Sequence, residues 1–182
     1  MTSLDRNAWI AAARAALIAD GVQRVRVDIL ARRLKITRGS FYWHFKDRQA
    51  LLDALLADWH ERNTSPFAAA VKRHNGDGIA QYGAIVDLWI EEKDYDPSYD
   101  AAVRDWARTD KRVATLVRKV DRERIRLFAQ VFAQLGYERA EADMRARITY
   151  YHQVGYYALG VSESKATRYR LVPLYRRVLV GK

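Results

Sequence analysis

The chain has 182 residues, of which 49% are hydrophobic, and it carries a formal net charge of +10 with no cysteine. Disulfides and thiolate metal sites are excluded by that last count. No run approaches the eighteen apolar residues of a membrane span, and the polar start from Met1 to Asp5 is unlike a secretory leader, so a soluble, cytoplasmic protein is expected.

Three prolines and nine glycines punctuate the chain, and apolar residues recur at spacings of three and four, which predicts helices throughout. Ile10, Ala13, Leu17 and Ile18 form one face of a first helix that ends at Asp20-Gly21. A short helix follows at Val27–Leu34, then a Lys35-Ile36-Thr37 turn, then a second short helix from Arg38 to about His44. Asp47 can cap a longer helix reaching about Arg62, with Leu51, Leu52, Leu55 and Leu56 on one side. Thr64-Ser65-Pro66 is expected to break the chain, and further helices are predicted at roughly 66–74, 78–93, 98–108, 110–135, 138–161 and 166–180. The expected division is 1–47, a connecting helix at 48–63, and a larger helical domain at 64–182.

Charge is concentrated in the first part. Between Arg24 and Arg48 stand eight Lys and Arg residues against two aspartates, the footprint of a module that binds a polyanion. The short helices joined by three residues have helix-turn-helix dimensions. Ile29 or Leu30, Ala31 and Leu34 can face inward from the first, Ile36 can anchor the turn, and Phe41 and Phe45 can hold the second helix onto it. Thr37, Arg38, Ser40, Tyr42 and Trp43 are left on or near the outer face, with His44 and Lys46 at the far end. Such an aromatic cluster taken alone is more often core than a nucleic-acid contact.

The run Thr37-Arg38-Gly39-Ser40-Phe41-Tyr42-Trp43-His44-Phe45-Lys46-Asp47-Arg48 closely resembles the TetR family of transcription regulators, and the likeness covers about the first 60 residues. It implies an all-α fold with an N-terminal helix-turn-helix and a larger ligand-binding and dimerisation domain. It also implies a homodimer on a double-stranded DNA operator, released by a small hydrophobic or aromatic effector. Carried over by position, Thr37, Arg38, Gly39 and Ser40 would lie at the major-groove end of the recognition helix. Tyr42 and His44 would meet phosphates, or in the tyrosine's case a thymine methyl; Lys46 and Arg48 would meet phosphates at the start of the next helix, with Arg26 and Trp43 also at the interface. Arg26 stands where the family commonly has a capping threonine. Lys35 takes a turn position where glycine is common, and a left-handed conformation there would cost about 1 kcal/mol.

In the larger domain the resemblance implies an effector site, for which Trp89, Trp106, Phe128, Tyr151 and His152 are the candidates; core or interface packing is the alternative for each aromatic. The last two helices look too apolar for one-sided packing. Gly155, Leu159, Leu171, Leu174, Tyr175 and Val178 are the expected dimer interface, a symmetric four-helix arrangement. Enzymatic readings find little: Ser162-Glu163-Ser164-Lys165 has no supporting motif, and the acidic residues from Glu91 to Asp100 lack calcium-loop spacing. No cofactor motif is present. A DNA-binding protein without an effector, or a small enzyme with an unrecognised site, are the competing readings.

Overall fold

A computed structural model describes residues 5–181, and every regular element among them is helical. Residues 1–4 and 182, which include most of the polar start noted above, lie outside the described residues. The chain divides into two compact units. One runs up to Glu61 and takes in Ser98–Val117; the other comprises Arg62–Pro97 and the chain from Arg118 onward.

In the first unit, α1 (Arg6–Asp20) is capped by Asp5, whose Oδ1 accepts from Ala8 N at 2.8 Å, and it buries Trp9, Ala13, Ala16 and Leu17. Gly21 ends it at a φ of 80°, with its N–H on Leu17 O. Helix α2 (Val27–Leu34) buries Leu30 and Ala31. It stops at Lys35, which is left-handed at φ 56°, while the Ile36 N–H returns to Ala31 O at 3.0 Å. The recognition segment Arg38–Trp43 is a 3-10 helix, tighter than the α-helix its sequence suggests. Phe41 fixes it: this ring is fully buried, lies 5.1 Å edge-on from Trp9 and stacks on Phe45 at 5.4 Å.

Helix α3 (Arg48–Arg73) is capped by Asp47, whose Oδ1 accepts from Ala50 N. The break expected at Thr64-Ser65-Pro66 does not occur, and α3 runs through Pro66. An interior proline forfeits one helical N–H and crowds the carbonyl four residues back, and long-range contacts hold the turn before it. Asn63 is buried and exchanges hydrogen bonds with the backbone of Asp96, and Arg124 Nε donates to the buried Thr64 hydroxyl at 3.1 Å.

Helix α5 (Pro97–Ala107) packs within the first unit, although the expected division set it in the larger domain. Tyr99 donates its hydroxyl to Leu55 O at 2.6 Å, and buried Asp100 accepts from Trp59 Nε1 and Arg104 Nε. The second unit contains α4 (Gly78–Glu91), most of α6 (Lys111–Gln134), α7 (Arg139–Ala158) and α8 (Lys165–Tyr175), followed by a π-helical turn at Arg176–Val180. Its core is aromatic, with Phe67, Trp89 and Phe128 in mutual contact at 5.4–5.9 Å between ring centres.

Candidate nucleic-acid interface and ligand cavity

The basic cluster resolves into two groups. Arg26 and Arg32 pair with Asp28, and Arg33 pairs with Asp20 at 2.6 Å. Arg48 turns inward to the backbone, donating from Nε to Val25 O at 2.6 Å and from its terminal nitrogen to Val22 O at 2.9 Å. Arg24, Lys35, Arg38 and Lys46 are exposed and make no ion pair among the described residues. These four keep the charge that a polyanion can use.

Arg38 opens the recognition segment, and Lys35 and Lys46 flank it in the chain. Thr37 occupies the N-cap position with extended backbone, and its hydroxyl makes no capping bond. Tyr42 is 65% exposed and Trp43 87%, so two of the four clustered aromatics face solvent while Phe41 and Phe45 are core. Ser40 and His44 are half-buried beside them. A Cβ at Gly39 would meet only Thr37 Oγ1 at 3.8 Å, so nothing inside the protein demands glycine there. Arg26, at the α2 N-cap, makes no capping bond, as its side chain is drawn to Asp28 instead. The unpaired N–H groups at that helix start are left to other partners.

The second unit holds a cavity of about 60 Å³ between α4, α7 and α8. Tyr82, Val86, Trp89 and Ile90 line it from α4, and Thr149, His152, Gln153 and Tyr156 from α7. Burial pushes the Tyr82 phenol up to about 12, and desolvation lowers the His152 pKa below the ordinary imidazole value. Of the residues proposed from sequence for an effector, Trp89 and His152 lie in this lining. Phe128 sits behind Trp89 in the core, Tyr151 is 59% exposed, and Trp106 belongs to the other unit. Thr149 and Gln153 were not singled out. They sit one turn apart on the stripe that buries Ala142, Ala146 and Tyr150, and polar residues on a buried helical face are the signal that could have found them.

A polar clamp fastens the start of α8 to the end of α4. Lys165 Nζ reaches both the carbonyl and the carboxylate of Glu91, Arg168 donates to Glu92 at 2.7 Å, and Tyr169 donates to Glu91 at 2.9 Å. Glu92 is held left-handed at φ 53° and accepts also from the Tyr157 hydroxyl, whose pKa burial raises. Ser164 caps α8 by accepting from Thr167 N, so the serine and lysine of the 162–165 run serve the helix start. Among the described residues no group of three or more His, Asp or Glu side chains is placed to hold a metal ion, and no helix is long and apolar enough to cross a membrane.

Large exposed apolar residues crowd the last two helices. Met144, Ile148, Tyr151, Leu159, Leu174 and Val178 are 48–81% exposed, and Tyr175 is 37% exposed. Gly155 and Leu171 are half-buried next to them.

The helix-turn-helix carries exposed cations suited to a polyanion. Residues 10–55 match the family described as bacterial regulatory proteins, tetR family. The match is confined to the segment that holds the helix-turn-helix. Over 55 residues the chain is 44% identical to the tetracycline repressor protein class G of Vibrio anguillarum, a stretch covering 30% of this chain and 26% of that protein. Over 52 residues it is 40% identical to the HTH-type transcriptional regulator SrpR of Pseudomonas putida, covering 29% of this chain and 24% of that one. The matched stretch thus spans about a quarter of these relatives' lengths. A solved structure of BioQ with its double-stranded DNA operator is 21% identical, with a TM-score of 0.45 over 98% of this chain and 96% of that one.

Proposed function

We propose that the protein is a transcription repressor that binds a palindromic operator as a homodimer and leaves it when a small hydrophobic or aromatic molecule occupies the cavity of the second unit. The observation that carries the reading is the recognition segment itself: solvent-facing Tyr42 and Trp43, an unrequired glycine at 39, and cations left unpaired at 24, 35, 38 and 46. Phosphates would be met by Lys46, Arg24 and the Tyr42 hydroxyl. Arg38 and Ser40, on the first turn of the segment, would reach base edges in the major groove. The exposed apolar residues of α7 and α8 suit burial against a second copy, which would space two recognition segments about 34 Å apart for successive major grooves. An effector would act by binding more tightly to the dimer state whose spacing misses the operator.

The test starts with genome-wide selection of bound sites, followed by binding to the selected and scrambled duplexes over a salt series. Lys46→Ala should weaken both duplexes alike and reduce the salt slope of log affinity by about one unit. Arg38→Ala should cost about 1–3 kcal/mol on the selected duplex and relax preference at one position per half-site. Equal losses on both duplexes for Arg38→Ala would refute this docking, and absence of any selected site would refute the regulator.

A further inference from the structure

Resting on the reading of the second unit as an effector domain, the cavity between α4, α7 and α8 specifies its occupant more closely than size and greasiness do. Its walls are mostly apolar and aromatic, with Tyr82 and Trp89 on one side and Val172 and Tyr175 on the other. Into this lining come two polar side chains, Thr149 and Gln153, which are 3% and 8% exposed. Thr149 Oγ1 and Gln153 Nε2 have no hydrogen-bond partner. Buried polar atoms are nearly always satisfied, so two orphans one helical turn apart beside a cavity mark a place where a partner is to come. A carbonyl oxygen fits both, because its two lone pairs can take the Gln153 N–H and the Thr149 O–H together.

Charge narrows the class further. The two charged residues in the lining already have partners: Arg168 donates to Glu92 at 2.7 Å, and Glu163 accepts from the Tyr156 hydroxyl at 3.3 Å. His152 packs tilted against Tyr175 with ring centres 4.8 Å apart, and desolvation favours its neutral form. An anionic ligand would therefore meet a guanidinium already paired and the Glu163 carboxylate, at a desolvation penalty nothing offsets. We propose that the cavity binds a neutral aromatic carbonyl compound, its ring between Trp89 and Tyr175 and its oxygen on Thr149 and Gln153.

At about 60 Å³ the resting cavity is smaller than the roughly 150 Å³ that holds a benzene ring in an apolar core, so entry must widen it. The wall that can yield is α8, which has no buried residue and is tied at its start to α4 by two ion pairs. Its movement carries Leu174 and Tyr175, two members of the exposed apolar face, and this gives the ligand a route to the dimer.

Three probes of one shape separate the possibilities: acetophenone, cumene and benzoate, which present a neutral carbonyl, no acceptor and an anion. Binding is read by thermal shift and tryptophan fluorescence on the full chain. Acetophenone should bind at least about tenfold more tightly than cumene, which offers no acceptor to the two donors, and benzoate should not bind. The double variant Thr149→Val, Gln153→Leu should reverse the order of acetophenone and cumene. Benzoate binding as well as acetophenone, cumene equalling acetophenone on the unaltered chain, or no binding of any probe at millimolar concentration overturns the proposal. A selected-operator duplex is then titrated with acetophenone present. Acetophenone that binds as expected while leaving DNA affinity unchanged supports the ligand class and overturns the effector reading alone.

Discussion

Arg48 lies in the run that resembles a DNA-binding motif, yet its guanidinium is turned to the chain. It donates to Val25 O at 2.6 Å and to Val22 O at 2.9 Å, which ties the start of α3 to the loop before α2. Hydrogen bonds from a charged donor contribute about 1.5–3 kcal/mol when their acceptor is shielded. The Val25 bond is partly buried and belongs in that range; the Val22 bond is exposed and water replaces most of it. Arg48→Ala should thus destabilise the first unit by about 2 kcal/mol, or about 4–8 °C in melting temperature for a chain of this size. The same variant should leave the salt slope of DNA binding nearly unchanged, because those N–H groups were not on phosphate. Lys46→Ala is the counterpart, with an unaltered melting temperature and a slope lower by about one unit. The assay is a melt followed by circular dichroism beside the salt series. A melting temperature unmoved by Arg48→Ala, together with a slope lowered by one, would refute the clamp and return Arg48 to the DNA.

Lys35→Gly should stabilise the chain by about 1 kcal/mol in urea unfolding, because Lys35 is held at φ 56° and ψ 41° where a Cβ is penalised; a loss of stability would mean that the side chain contributes more than its backbone strain costs. Leu174→Glu with Val178→Glu should convert a dimer near twice the 21.1 kDa chain mass into a monomer by light scattering and weaken operator binding, whereas an unaltered mass would place the interface elsewhere.

The first unit was legible because its signals are local. Asp5, Gly21 and Asp47 punctuate the helices, Lys35-Ile36-Thr37 separates two short ones, and Phe41 and Phe45 share a face at a spacing of four. The strained Lys35 backbone and the uncapped start of α2 at Arg26 could be anticipated for the same reason. Pro66 misled because its tolerance depends on Asn63 and Thr64 being held by Asp96 and Arg124, residues 33 and 60 positions away in the chain. The return of 98–117 to the first unit is likewise written in Tyr99 and Asp100 meeting Leu55 and Trp59, pairings that no periodicity encodes. In the cavity, Trp89 and His152 drew notice by residue type. Thr149 and Gln153 matter through what they lack, and a missing hydrogen bond is visible only once the surroundings are in place.

The split composition of the first unit bears on biosynthesis and on recombination. A chain emerging from the ribosome has its helix-turn-helix by residue 61, but Leu55 still lacks the Tyr99 hydroxyl and Trp59 still lacks Asp100 until α5 has followed. Nascent chains stalled before α5 is exposed would therefore present Trp59, a fully buried ring in the finished fold, to water and to chaperones. By the same logic a chimaera joined at residue 61 severs the unit, whereas one that transplants 98–117 along with the N-terminal segment keeps it whole.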